Sequence, residues 1–226
     1  MLARRRSKSL PLFEELAQAA PTGGLEKSLR EAGYALIAGA DEAGRGPLAG
    51  PVVGAAVILN HEADYPGVTD SKALTPAARE KAFGLIVQRA MAVAVGYADA
   101  EEIDRLNILE AALRAMSRAV AELAPSPDYV LVDGTFPLPD LALAGNPAQR
   151  AVPHGDRLSL TVGAASIVAK VVRDRWMHCY DRLYPAYGFG AHKGYATAAH
   201  LAALRLHGPC PIHRKTFAPV RLCSFV

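Results

Sequence analysis

The chain has 226 residues, 51% hydrophobic and 21% charged, which suits one globular domain, or a domain with a tail, and excludes global disorder. No apolar run approaches the ~18 residues of a membrane span. Arg4-Arg5-Arg6 leads into a mixed segment, so no secretory leader is expected. The three cysteines (Cys179, Cys210 and Cys223) lack CxxC spacing, which points to a reducing, cytoplasmic setting rather than a disulfide scaffold or zinc ribbon. The net charge of +3 is uneven: residues 1–146 carry −5, whereas residues 147–226 carry +8 and eight of the fifteen aromatic side chains. A basic, ring-bearing third suits a phosphate-backbone partner, or forms a solvated basic surface.

Residues 1–33 read as a flexible N-terminal extension, broken by Pro11, Pro21 and Gly23-Gly24, with one short helical stretch near Leu12–Ala20. Tyr34–Ala40 is a short apolar run ending at Asp41-Glu42, as in a buried strand. Gly44 to Pro51 is a loop, and Val52–Leu59 is a second strand. A helix is expected over Pro76–Ala90, with Thr75 as N-cap and Pro76 at the first position. Met91–Ala98 is β-rich. Asn107-Ile108-Leu109-Glu110 resembles a capping box, opening a helix to about Leu123 in which Leu109, Leu113, Met116 and Val120 recur at helical spacing. Tyr129–Val132 is a strand ending at Asp133-Gly134. A long helix covers about Thr161–Leu183, and another runs from Thr197 to His207, closed by Gly208-Pro209. The mixture predicts one α/β domain over 34–226, basic and helical from about residue 160.

Asp41-Glu42 and Asp133 place acids at the ends of apolar strands, where a buried charge needs a partner and mutual repulsion raises pKa values. A sheet that joins the two strand ends brings three carboxylates together. Hard oxygen donors without Cys or His favour Mg2+ or Mn2+ over zinc; taken singly, each acid also suits a turn cap. Gly44-Arg45-Gly46-Pro47-Leu48-Ala49 imitates a dinucleotide-binding fingerprint, yet Pro47, Gly50 and Pro51 prevent the helix which that fingerprint must open. An oxidoreductase reading therefore fails. The glycines instead permit close backbone approach to a ligand, with Arg45 supplying positive charge.

The run Asp41-Glu42-Ala43-Gly44-Arg45-Gly46-Pro47-Leu48-Ala49-Gly50-Pro51-Val52-Val53 resembles the opening signature of type 2 ribonuclease H (ribonuclease HII). Asp70-Ser71-Lys72, Val132-Asp133-Gly134, Gly155-Asp156, Ala164–Asp174, Gly188-Phe189, His192-Lys193-Gly194-Tyr195 and His213–Val220 follow in the same order, over about residues 35–220. The resemblance implies a ribonuclease H-like fold: a mixed central sheet flanked by helices, with a C-terminal helical segment. It implies an endoribonuclease that hydrolyses the RNA strand of RNA–DNA hybrids and nicks 5′ of single ribonucleotides in duplex DNA. The products would be a 5′-phosphate and a 3′-hydroxyl, made by two-metal-ion catalysis. By the same resemblance Asp41, Glu42, Asp133 and Asp156 hold Mg2+ or Mn2+; Gly44, Arg45 and Gly46 contact the 2′-hydroxyl; and Tyr195 stacks on the sugar at the RNA–DNA junction. A 2′-hydroxyl sensor and phosphate contacts without base readout fit an RNA-specific, sequence-indifferent enzyme. The alternative is a non-catalytic hybrid-binding module, for which the full acid set would be idle. A monomer is expected.

Other positions carry weaker signals. Asp174 is an alternative fourth acid, but Arg173 and Arg175 beside it are candidate ion-pair partners. Ser166 and Lys170, four apart, share a helix face that meets phosphate or is simply polar. Lys72, His192 and Lys193 are candidate backbone contacts. His207, Cys210 and His213 suggest a zinc triplet, but Pro209 and Pro211 constrain the spacing and no fourth ligand is evident. Pro153-His154 stands where the family commonly has an apolar residue and Lys, so a basic contact near Asp156 is in question.

Overall fold

Strand β1 (Ile37–Ala43) is the axis of a five-stranded sheet in the computed structural model, which describes residues 23–139, 141 and 146–223. On one side β2 (Val52–Ile58) pairs with it antiparallel, and β3 (Ala92–Ala98) follows antiparallel at the edge. On the other side β4 (Tyr129–Asp133) pairs with it in parallel, and β5 (Ala148–Val152) follows in parallel. The order is β3-β2-β1-β4-β5. Every residue of β2 is buried, as expected of a central strand covered on both faces. The parallel register sets Ala40 opposite Val132, so Asp41 and Asp133 are the next residues on neighbouring strands.

The helices are α1 (Gly24–Glu31), α2 (Pro76–Arg89), α3 (Ala100–Leu106), α4 (Ile108–Ala121), α5 (Gly155–Leu158), α6 (Leu160–Leu183), α7 (Phe189–His192), α8 (Ala198–His207) and α9 (Ala218–Cys223). Helix α4 covers one face through Ala115, Met116, Ala119 and Val120. Helices α2 and α6 cover the other, where Ala82 and Ile86 meet Ala164, Ile167 and Val168. Gly39 lets α6 press directly on β1, because a Cβ there would lie 2.2 Å from the Thr161 carbonyl carbon. The first half of α6 is buried all round, as a helix pressed between sheet and neighbours must be. Beyond it, α7 to α9 form the C-terminal helical segment. The mixed sheet, its flanking helices and this segment agree with the architecture implied by the sequence.

The elements differ from expectation in instructive places. Helix α1 lies inside the segment read as an extension, and its Leu25 packs with Ile37, Leu131, Val152 and Val162. The stretch near Leu12–Ala20 lies outside the described residues. Strand β1 does not stop at the acids; Asp41, Glu42 and Ala43 stay paired with Ala55, Gly54 and Val53. The expected capping box forms only in half. Asn107 accepts from the Leu109 and Glu110 amides, but its own N–H already bonds Ile103 at the end of α3, so the Glu110 carboxylate turns to Arg114 at 2.9 Å. The cap at Thr75 forms as expected, accepting from Ala78 N–H, and that at Thr197 accepts from His200 N–H.

Candidate active site

The ends of β1 and β4 bring Asp41, Glu42 and Asp133 within electrostatic reach of one another, and the first turn of α5 brings Asp156 within reach of Asp133. Asp41 is 4% exposed and accepts the Glu42 N–H at 2.7 Å. Burial raises its pKa well above the ordinary carboxylate range, and the Glu42 and Asp133 charges add to this against the Ser166 hydroxyl and the Glu42 amide. Burial also raises Glu42; Asp133 adds to the rise, while Arg45, 3.4 Å from Oε1, opposes it. Asp156 is raised by burial, then by Asp133 and Asp70, with Lys72 and Arg157 opposing. Asp133 Oδ1 accepts the Gly155 N–H at 2.7 Å, which fastens the end of β4 to the helix that carries Asp156.

The Asp70-Ser71-Lys72 turn closes one side. Asp70 accepts the Lys72 N–H at 2.8 Å and the Arg157 guanidinium at 3.2 Å, and Ser71 Oγ meets Ser166 Oγ at 2.9 Å. The Lys72 ammonium stands 3.9 Å from Asp156. Burial lowers its pKa, but Asp156, Asp41, Asp70 and Asp133 together outweigh burial and raise it. Lys72 and Arg157 are therefore cations beside Asp156, where Pro153-His154 offers no lysine. A cleft of about 270 Å³ opens from Glu42 and Asp133 between Arg45, Leu113, Phe136 and His154.

The glycine-rich loop closes the other side. Gly44 has φ +103°, and a Cβ there would lie 2.0 Å from Arg173 Nε, so only glycine fits. Two buried arginines hold this loop from beneath. Arg173 donates to Pro51, Ala49 and Lys193 carbonyls at 3.0 to 3.2 Å, and Arg214 to carbonyls between Gly44 and Gly50. The exposed ring of Tyr195 lies against Gly46, with Cε1 3.5 Å from where a Gly46 Cβ would stand.

Other expected contacts are placed differently. Ser166 is buried against Ser71 beneath Asp41, so it supports an acid rather than meeting solvent. Lys170 pairs with Asp174 at 2.7 Å. The arginines beside Asp174 go elsewhere: Arg173 to the loop carbonyls, and Arg175 to Glu80 at 2.7 Å. His192 donates from Nε2 to the Tyr187 carbonyl, accepts the Gly194 N–H at Nδ1, and stacks on His200 at 4.5 Å. Lys193 turns its ammonium to the Gly190 carbonyl. The suspected zinc triplet is a hydrogen-bonded chain. Cys210 N–H and Sγ meet His213 Nδ1, His213 Nε2 meets His200 Nε2 at 3.0 Å, and His200 Nδ1–H donates to the Tyr195 carbonyl. His207 takes no part in it; its ring lies edge-on to Tyr187.

Among the described residues, no group of three or more His, Cys, Asp and Glu side chains is arranged to hold a metal ion. The carboxylates are turned onto local donors instead: Asp41 onto an amide, Asp133 onto the Gly155 amide, Glu42 toward Arg45. Their chemistry nonetheless fits a hard divalent cation, since all four donors are carboxylates and three are raised by burial and crowding.

A family profile described as ribonuclease HII matches residues 38–220. The chain belongs to the ribonuclease HII family. Ribonuclease HII of Geobacter metallireducens is 53% identical over 214 residues, covering 94% of this chain and 97% of the relative. Ribonuclease HII of Geobacter sulfurreducens is 54% identical over 213 residues, covering 94% and 95%. The crystal structure of ribonuclease H2 from Pyrococcus horikoshii superposes with a TM-score of 0.69 at 29% identity, covering 84% of this chain and 97% of that one. Membership of the ribonuclease HII family makes the chain an enzyme, a metal-dependent endoribonuclease of the ribonuclease H type.

Proposed function

We propose that the enzyme hydrolyses the RNA strand of RNA–DNA hybrids and nicks duplex DNA on the 5′ side of single ribonucleotides, leaving a 5′-phosphate and a 3′-hydroxyl. Mg2+ or Mn2+ would be held by Asp41, Glu42, Asp133 and Asp156. The observation that carries this reading is the meeting of acids from three separate chain segments beside an exposed loop and ring, Gly46 and Tyr195. A pair of divalent ions held by these carboxylates would supply Lewis-acid activation of water and stabilisation of the leaving oxygen.

The chain's own groups supply the rest. Arg45 and Lys72 are exposed cations on either side of the acids, suited to neighbouring phosphates. The Tyr195 ring offers an apolar face to a sugar. Ligation needs Glu42 to leave Arg45, which frees that guanidinium for phosphate. No helix among the described residues is long and apolar enough to cross a membrane. A monomer acting in the cytoplasm completes the proposal. The test is a DNA duplex with one internal ribonucleotide, incubated in Mn2+ or in chelator beside its all-DNA counterpart. A single cut 5′ of the ribonucleotide, in metal only, supports the reading; equal cutting of both duplexes refutes it.

A further inference from the structure

Helix α6 carries Trp176, Tyr180 and Leu183 at helical spacing, the pattern of a core-facing stripe, yet in its last turns this stripe stays at the surface. With Pro51, and with Tyr97 near the end of β3, it lines a groove of about 390 Å³. Tyr97 is 52% exposed and Leu183 68%, and the Tyr97 and Trp176 rings meet edge to face at 5.3 Å. The groove continues past Pro51, Asp99 and Tyr180 into a second hollow of about 220 Å³ that Glu101 and Ile212 help to line. Asp99 caps α3 through the Glu102 N–H. Among the described residues neither Asp99 nor Glu101 makes an ion pair. An apolar floor with free acids at one end repels a phosphate backbone and suits a segment that joins apolar to cationic side chains.

The chain holds such a segment. Residues 1–22 lie outside the described residues; within them Arg4, Arg5, Arg6 and Lys8 precede Leu10, Leu12 and Phe13, and no acid comes before Glu14. The described chain starts at Gly23, in a hollow shared with Thr161 in the first turn of α6. Tyr180 lies 19 positions further along that helix, about 29 Å at a rise of ~1.5 Å per residue. Phe13 precedes Gly23 by ten positions, about 33 Å of extended chain. The apolar run is therefore long enough to reach the groove, and the arginines to reach Asp99 and Glu101 beyond it. We propose that residues 4–13 dock in this groove of their own chain, with Leu10, Leu12 and Phe13 against Tyr97 and Trp176, and the arginines against Asp99 and Glu101.

Trp176 is the only tryptophan of the sequence, so its fluorescence reads the groove directly. The test compares acrylamide quenching of the full chain with that of two double variants, Leu12→Ser with Phe13→Ser and Asp99→Asn with Glu101→Gln. Asparagine keeps the cap on α3. The quenching constant should rise at least twofold in each variant, and the wild-type value should not change with protein concentration. Unchanged quenching in either variant overturns the proposal. Wild-type quenching that grows on dilution assigns the groove to a second copy, and further shielding of Trp176 by an all-DNA duplex in chelator assigns it to nucleic acid; either result overturns the proposal. Placement is read independently with Ser9→Cys, which leaves the apolar run intact and decides the matter if the double variants do not fold. A short bismaleimide should join that position to the exposed Cys179 within one molecule. Joining to Cys223 alone, joining only between molecules, or no joining overturns the proposal. Neither readout involves the substrate, so the outcome is independent of the cleavage reaction proposed above.

Discussion

The Gly155 N–H donates to Asp133 Oδ1 at 2.7 Å, so the carboxylate at the end of β4 anchors the turn that presents Asp156. Two acids 23 positions apart in the sequence thereby become one unit.

Asp133→Asn separates the structural from the chemical use of that carboxylate. The amide oxygen still accepts from Gly155, so the melting temperature should stay within a few degrees of wild type. The charge is gone, and cleavage in Mg2+ or Mn2+ should fall by about 10³-fold or more. Initial rates beside a thermal melt read both effects.

Asp41→Asn should stabilise the metal-free protein. The folded pKa of Asp41 lies above its unfolded value, so its contribution to stability is present at low pH and is lost as pH rises through the folded value. At neutral pH the folded state therefore bears an unfavourable charge. Asparagine keeps the bond to the Glu42 amide and removes that charge. A gain of about 1 kcal/mol is expected in chelator by urea unfolding, and added Mn2+ should raise the wild-type melting temperature more than that of the variant.

The buried His200–His213–Cys210 chain makes stability pH-dependent. Each imidazole in it must be neutral: His200 Nε2 and His213 Nδ1 both act as acceptors. Burial, then the neighbouring His200, lowers the His213 pKa from 6.5 to about 4. A depressed folded pKa gives stability that is full above the unfolded value and is lost as pH falls. The loss should run from about pH 6.5 down to about pH 4 and amount to roughly 3 kcal/mol. Urea midpoints across that range check it, and His213→Asn should flatten the curve.

Tyr195→Ala tests the exposed ring. At 45% exposure the side chain adds little to stability, so the melt should not move. Cleavage beside a single ribonucleotide should fall by about tenfold or more, a stacking contribution of ~1–3 kcal/mol.

These sites differ in how far the sequence foretells them. Strand ends such as Val132-Asp133 are legible because an apolar run that stops at an acid is a local pattern. Thr75 and Thr197 are legible because a cap acts within one turn. Strand β5 is not: its sequence AQRAV buries one residue and owes its place to pairing with β4. Helix α3 spans only seven residues, too few for periodicity to speak. Arg173 and Arg214 leave no pattern at all, since their partners are carbonyls up to 170 positions away. The Lys170–Asp174 pair was within reach, because i,i+4 spacing favours it over the adjacent arginines, which point to other helix faces.

The central claim is that carboxylates from separate segments act as one divalent-cation site. Calorimetric titration of the metal-free full chain with Mn2+ tests it most directly, beside the single substitutions Asp41→Asn, Glu42→Gln, Asp133→Asn and Asp156→Asn. Binding by the wild type, weakened at least tenfold by each substitution alone, is the predicted result. Undiminished affinity in all four variants would contradict it.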